Sequence, residues 1–270
     1  MRLAVSNIAW PHADDAAVAD RLRELGVAGV EVAPTKVWPD PPAAADADVD
    51  ACRRFWNDRG IEVVAAQALL FGRPELTLFE SADRTDATLA YLAGIVRVCA
   101  RLGAGSLVFG SPKNRRTNGL PAEAVRAVAV DFFGRLADLA HAAGTAVVLE
   151  ANPPDYGADF VTNAAEAVAL VRAVNHPGLR LHLDTGCMTL ANDPIGPTFD
   201  AGFGLLRHFH VSEPNLDPPE ASGRVDHGAF AAELKARGYA GWVSLEMREP
   251  TPFAPDRLAA AVRFVRDTYG

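Results

Sequence analysis

Four short apolar runs in the second half of the sequence end on, or carry, a residue type that binds metals: Val147-Val-Leu-Glu150, Leu181-His-Leu-Asp184, His208-Phe-His210 and Val243-Ser-Leu-Glu246. Successive separations from Glu150 through Asp184 and His210 to Glu246 are 34, 26 and 36 residues, each about one strand–helix unit. If every run is a strand of one parallel sheet, three carboxylates and an imidazole arrive at nearly the same height. Such a set repels itself unless a cation sits between its members, and its oxygen and nitrogen donors suit Mn²⁺, Mg²⁺, Co²⁺ or Zn²⁺. The expectation is one divalent ion held by Glu150, Asp184, His210 and Glu246.

A carbonyl and a neighbouring hydroxyl chelated at such an ion leave the intervening C–H acidic. Glu150 and Glu246 are the candidate catalytic groups, one removing the proton and the other returning it from the opposite face. Return to the same carbon epimerises, and return to the next carbon interconverts aldose and ketose. Elimination after the same proton loss would make a lyase or dehydratase. A phosphoester hydrolase and a non-catalytic sugar-binding barrel are the more distant alternatives.

The elements that must carry these residues alternate along the whole chain. Leu3–Val5, Gly29–Val32, Ile61–Ala65 and Ser106–Phe109 read as strands one to four, and Ala146–Glu150, Leu181–Asp184, His208–Val211 and Trp242–Glu246 as strands five to eight. Helical spacing fills the gaps, including Thr88–Leu102, Asn163–Val174, Pro197–Leu206, Asp226–Arg237 and Pro255–Thr268. Gly26, Gly60, Gly103, Gly144 and Gly238 each follow a helical stretch, where a left-handed cap is wanted. Eight such alternations without a composition shift predict one domain over residues 1–270, an α/β fold closed as a single (β/α)8 TIM barrel. No Gly-x-Gly-x-x-Gly follows the first strand, which argues against a doubly wound dinucleotide-binding sheet.

In such a barrel the active site lies at the C-terminal strand ends, and period two along each strand selects further candidates. His182 and His208 fall one layer below the ligands, placed to orient them. Arg248 shares the face of Glu246. Lys113 and Arg115, in the Lys-Asn-Arg-Arg stretch after strand four, are candidates for gripping a phosphate or carboxylate, Arg115 first. Trp10 and Trp38 are candidates for an apolar wall against a sugar's C–H face. Gln67, Asn152, Tyr156 and Cys187, with Glu31 and Asn7, stand at strand ends where hydroxyl recognition occurs. His227, opening a helix after strand seven, reads as a cap or lid contact.

The chain has 270 residues and a formal net charge of −8, which opposes binding to a phosphate backbone. No apolar run reaches the ~20 residues of a membrane span, and the N-terminus MRLAVSNIAW has no signal-peptide layout. Cys52, Cys99 and Cys187 form no disulfide pattern. A cytoplasmic enzyme acting on a small carbohydrate-like molecule is expected, with no nucleic-acid or membrane partner. Exposed barrel helices often pair, which leaves a homo-oligomer open.

Almost the entire sequence resembles the xylose-isomerase-like TIM barrels, a family of sugar phosphate isomerases and epimerases related to tagatose epimerases and apurinic endonucleases. The resemblance rests on Ser6-Asn-Ile-Ala-Trp10, Gly29-Val-Glu-Val-Ala-Pro34, Val108-Phe-Gly-Ser-Pro-Lys113, Leu149-Glu-Ala-Asn-Pro-Pro154, Leu183-Asp-Thr-Gly186, His208-Phe-His-Val-Ser-Glu213 and Gly241-Trp-Val-Ser-Leu-Glu246. It implies a metal-dependent isomerase or epimerase with Glu150, Asp184, His210 and Glu246 as ligands. Two departures stand out. Ketose epimerases of the family place a substrate-binding His three residues after the strand-six Asp, where this chain has Cys187. They also place an Arg after the strand-seven His, where this chain reads Ser212-Glu-Pro-Asn-Leu-Asp217. The histidines that the endonuclease branch uses after strands two and three are absent.

Overall fold

Parallel strands β1 (Arg2–Ser6), β2 (Gly29–Val32), β3 (Glu62–Ala66), β4 (Ser106–Phe109), β5 (Val147–Leu149), β6 (Leu179–Asp184), β7 (Leu206–Val211) and β8 (Trp242–Leu245) pair in sequence order. β8 closes back on β1, giving the eight-stranded barrel the alternation predicts, in a computed structural model that describes residues 1–270. Helices over 15–24, 46–57, 82–102, 122–142, 164–174, 195–202, 227–236 and 255–269 form the outer ring. Their starts are capped where the sequence offers short polar side chains. Ser81 accepts from the Arg84 N–H, Asn163 from Glu166 and Asp226 from Ala229, each satisfying a first-turn donor. The five cap glycines all have positive φ, 67° to 99°.

Differences from the expected elements are confined to ends and short pieces. β6 and β7 each begin two residues earlier, and Glu150 and Glu246 stand one residue beyond their strands. The stretch expected as helix 197–206 is an α-helix over 195–202 followed by a 3₁₀ turn over 203–205. Short helices at 34–37, 185–190 and 219–222 are too brief to show a period in the sequence. No helix is long and apolar enough to cross a membrane.

The main apolar core lies between the strands and the helix ring, built from residues such as Val5, Val30, Leu107, Phe109, Leu149, Phe132, Phe209 and Leu245. A second, separate cluster of Ala4, Val64 and Ala65 packs against Trp242. Trp242, Ser244 and Glu246 share one face of β8 by period two. From the strands' N-terminal end upward, that face runs from an indole through a buried hydroxyl to the candidate ligand. Gly29 is glycine for a packing reason, since a Cβ there would press on the Trp242 ring and Ala4.

Candidate metal centre

Side-chain oxygens of Glu150, Asp184 and Glu246 and a ring nitrogen of His210 all lie within 4.8 Å of one another. Register brings them together. Asp184 is paired with His210 across β6 and β7, and the backbone N–H groups of Glu150 and Glu246 extend the ladders to Phe109 and Val211. His210 Nδ1 is buried with no hydrogen-bond partner, 3.3 Å from Glu246 Oε2 and 4.0 Å from both Glu150 Oε1 and Asp184 Oδ2. An orphaned imidazole nitrogen facing three carboxylates is the donor set that a divalent ion completes.

Three of the four donors are held from behind by hydrogen bonds. Asp184 caps the helix over 185–190, its Oδ1 accepting from the Cys187 N–H at 2.6 Å, while Oδ2 accepts from Ser212 Oγ at 2.6 Å. Asn152 Nδ2 donates to Glu150 Oε2 at 2.7 Å. His210 Nε2 sits 2.8 and 3.0 Å from the two oxygens of Glu31. A proton on Nε2 makes His210 a donor to Glu31 and leaves the Nδ1 lone pair facing the carboxylates. Glu31 also accepts from Ser244 Oγ at 2.7 Å and meets His208 Nε2 at 3.2 Å.

Charge follows this packing. Burial, then Asp184 and Glu246, push the Glu150 carboxyl up to about 8, and burial and Glu246 raise Asp184 as well. Burial opposes charge on Glu31, but His210 and His208 hold its carboxyl well below the ordinary range. Burial likewise opposes a charged His210, yet Glu31 and Glu246 hold it well above the ordinary histidine value. The centre without a cation therefore carries excess protons, which is the signature of too many acids in one dry place.

The other candidates fall into three groups. Lys113 and Gln67 line a cavity of about 790 Å³ at the barrel mouth, which reaches Glu246 and is bounded also by Ile8, Phe71 and Leu216. Lys36 and Arg73 on its wall were not singled out in the sequence. Phe71, 73% exposed, is the most exposed large apolar side chain of the chain. The second group supports the centre from within. His208 shares Glu31 with His210, and His182 lies 3.6 Å from Glu150 Oε1, with its ring centroid 4.2 Å from that of His210. Cys187 is buried, its Sγ 3.7 Å from Asn152 Nδ2; burial and the nearby Asp184 and Glu150 raise its thiol well above the usual value, so it is no thiolate nucleophile.

Members of the third group are turned elsewhere, and those assignments are corrected. Trp10 is fully buried, donating from Nε1 to Asp15 at 2.7 Å and packing edge-on to Trp56, so it forms no sugar wall. Arg115, the first choice for gripping an anion, is also fully buried, with Nη2 donating to Asn152. Asn152 is spent on Arg115 and Glu150 and does not border the cavity. The Tyr156 hydroxyl accepts from the Asn215 N–H at 2.9 Å, and Arg248 donates to the Asn215 carbonyl at 2.7 Å. Both clamp the loop after β7. Period two fails for Arg248 because β8 ends at Leu245, and the exposed side chain lies past the pleat. Glu31 is not a hydroxyl reader but the buried partner of His210. His227 bridges Glu213 and Tyr269 inside the fold while Asp226 does the capping. Ser212 and Ser244 were overlooked, although each stands two residues from a ligand on the same face.

A parallel (β/α)8 barrel with acids and an imidazole gathered at its C-terminal rim defines a TIM barrel with a candidate metal centre where such barrels carry their active sites. The chain belongs to the xylose isomerase-like TIM-barrel family, whose model matches residues 19–268. It is 32% identical over 124 residues to a ketose 3-epimerase of Arthrobacter globiformis, a match covering 46% of this chain and 42% of the relative. The chain thus spans less than half the length of that curated relative. The D-psicose 3-epimerase of Clostridium cellulolyticum H10, solved with D-tagatose, superposes with a TM-score of 0.82 at 18% identity, over 100% of this chain and 99% of the other. The IOLI protein, solved with a bound zinc atom, gives 0.77 at 16% identity over 100% and 98%. At these identities the structures share the fold.

Proposed function

We propose that this chain is a divalent-metal-dependent isomerase or epimerase of a sugar, a sugar phosphate or a related keto-polyol. One observation carries the reading: Glu150, Asp184, His210 and Glu246 converge within 4.8 Å around the orphaned His210 Nδ1. These four residues hold the ion, and the similarity to a ketose 3-epimerase supports a ketose as the type of substrate. When bound there, a divalent ion supplies Lewis-acid polarisation of a carbonyl and its adjacent hydroxyl.

The chain's own groups do the rest. Glu246 borders the cavity and takes the proton from the carbon beside the carbonyl. Glu150, three strands around the barrel, returns a proton from the other side, so the exchange is redox-neutral and leaves the carbon skeleton intact. Asp184 and His210 are fixed by Ser212, Cys187 and Glu31 and stay out of the proton path. Lys113 and Gln67 contact the distal part of the substrate in the mouth.

NMR of a ketose panel incubated in D₂O with Mn²⁺-loaded protein tests the reading. Incorporation of one solvent deuterium at the carbon next to the carbonyl, with every hydroxyl retained, is the expected outcome. Loss of water would reassign the chemistry to a lyase, and no incorporation across ketoses and their phosphates would remove the reading.

A further inference from the structure

Arg115 is the one lysine or arginine in the chain that solvent does not reach. A buried guanidinium is costly unless its donors are satisfied, and this one is only half satisfied. Nη2 donates to Asn152 Oδ1 at 2.8 Å and, at 3.4 Å, to the Val161 carbonyl, while Nε and Nη1 have no partner. An apolar side chain would fill the same space without leaving donors unpaired, so packing alone does not account for an arginine here.

The surroundings show what the arginine acts on. With its oxygen turned to Arg115, the Asn152 amide must present Nδ2 on its other side, where it donates to Glu150 Oε2 at 2.7 Å. The Val161 carbonyl also accepts the Asn152 backbone N–H at 3.1 Å. It does so from a β-branched residue at φ 54°, a left-handed conformation such residues rarely adopt. Gly110, the residue after β4, walls Glu150 Oε2, since a Cβ at this position would collide with it. A buried cation and a strained valine thus hold Asn152, and Asn152 and a glycine in turn confine one carboxylate oxygen of Glu150, with backbone strain of the kind found where function demands it.

We infer that Arg115 is a positioning residue for Glu150, acting through Asn152. It fixes the amide so that Oε2 is held and Oε1 stays turned into the centre. The inference rests on the metal-centre reading above. It also explains why an arginine in a basic loop stretch is withdrawn from the cavity that Lys113 lines.

Calorimetric titration of the metal-stripped full chain with Mn²⁺, beside its melting temperature without metal, tests the relay. Arg115→Met and Asn152→Ala should each weaken Mn²⁺ binding by roughly 10–100-fold. The double variant should bind no more weakly than Asn152→Ala alone, because both changes cut one path. Arg115→Lys, which keeps the charge and a donor for Asn152, should recover most of the loss, and Arg115→Gln, which removes the charge but keeps a polar head, replaces the Met variant in the cycle if that variant does not fold. Wild-type affinity in Arg115→Met, or losses that multiply in the double variant, would overturn the relay. So would a lowered melting temperature with unchanged Mn²⁺ affinity, which assigns Arg115 to the fold alone. Weakened binding in the variants of a wild type that turns over no ketose keeps the relay and removes the epimerase reading. A wild type that binds no Mn²⁺ overturns both.

Discussion

The two halves of the barrel are built alike and equipped differently. Strands β5 to β8 deliver Glu150, Asp184, His210 and Glu246 to one rim, with Glu150 braced by Asn152 and Asp184 by Ser212. Strands β1 to β4 deliver no acid to that rim. Their contribution is the mouth wall of Ile8, Gln67, Phe71 and Lys113, and one carboxylate, Glu31, sent inward beneath His210. Under the proposed function, chemistry would sit on strand ends, where ladders fix each Cα, and contact with the substrate's far end on loops, which tolerate variation. The difference teaches that the half without ligands still governs the centre, because Glu31 crosses the barrel to set which nitrogen of His210 faces the carboxylates.

The largest break in that comparison comes from Glu31. Glu31→Gln keeps the volume but removes the charge that His210 Nε2–H meets, and should weaken Mn²⁺ binding by about 10–100-fold. Unchanged Mn²⁺ affinity by calorimetry would confine the centre to β5 to β8 and separate the halves. A smaller effect should appear with pH. Glu150 at about 8, Asp184 raised by burial and Glu246, and His210 raised by Glu31 and Glu246 against its burial all keep protons in the folded, metal-free protein that the unfolded chain has released. Their stabilisation is complete below the unfolded values and is lost as pH rises through the folded ones. His182 and His208, lowered chiefly by burial, act in the opposite sense, but only below the ordinary histidine value of 6.5. Between about pH 7 and about pH 8 the metal-free protein should therefore lose thermal stability. The gap to the Mn²⁺-loaded protein, whose ion displaces those protons, should widen. A gap that narrows over this window contradicts the assignment of the excess protons to the centre. The smallest effect is expected in the mouth. Lys113→Ala should raise KM by roughly three- to tenfold with kcat and Mn²⁺ affinity unchanged, the mark of a contact made equally in ground and transition states. A fall in kcat alone would move Lys113 from recognition into the chemistry.

How much of this is legible without coordinates differs between the same two halves. The quartet of β5 to β8 can be read directly, because a polar residue ending an apolar run at unit spacing is a pattern in one dimension. The bracing serines 212 and 244 are legible by period two, each two residues from a ligand. Glu31 could be placed on β2 but not assigned, since its partners His208, His210 and Ser244 lie from 177 to 213 residues away. Arg115 and Trp10 misled for a related reason. Their types suit substrate contact, and only the packing of Asn152, Val161, Asp15 and Trp56 around them shows that they turn inward. Arg248 misled because the alternation does not continue to a residue three positions past the end of β8.

The central claim is that four residues on the rim of β5 to β8 hold one divalent ion. Metal analysis of the purified chain after saturation with Mn²⁺ and gel filtration, wild type beside Asp184→Ala, tests it most directly. About one ion per wild-type chain and a loss in the variant, with circular dichroism unchanged, is the result the geometry predicts. Retention of a full equivalent by Asp184→Ala, or no ion retained by the wild type, would contradict it.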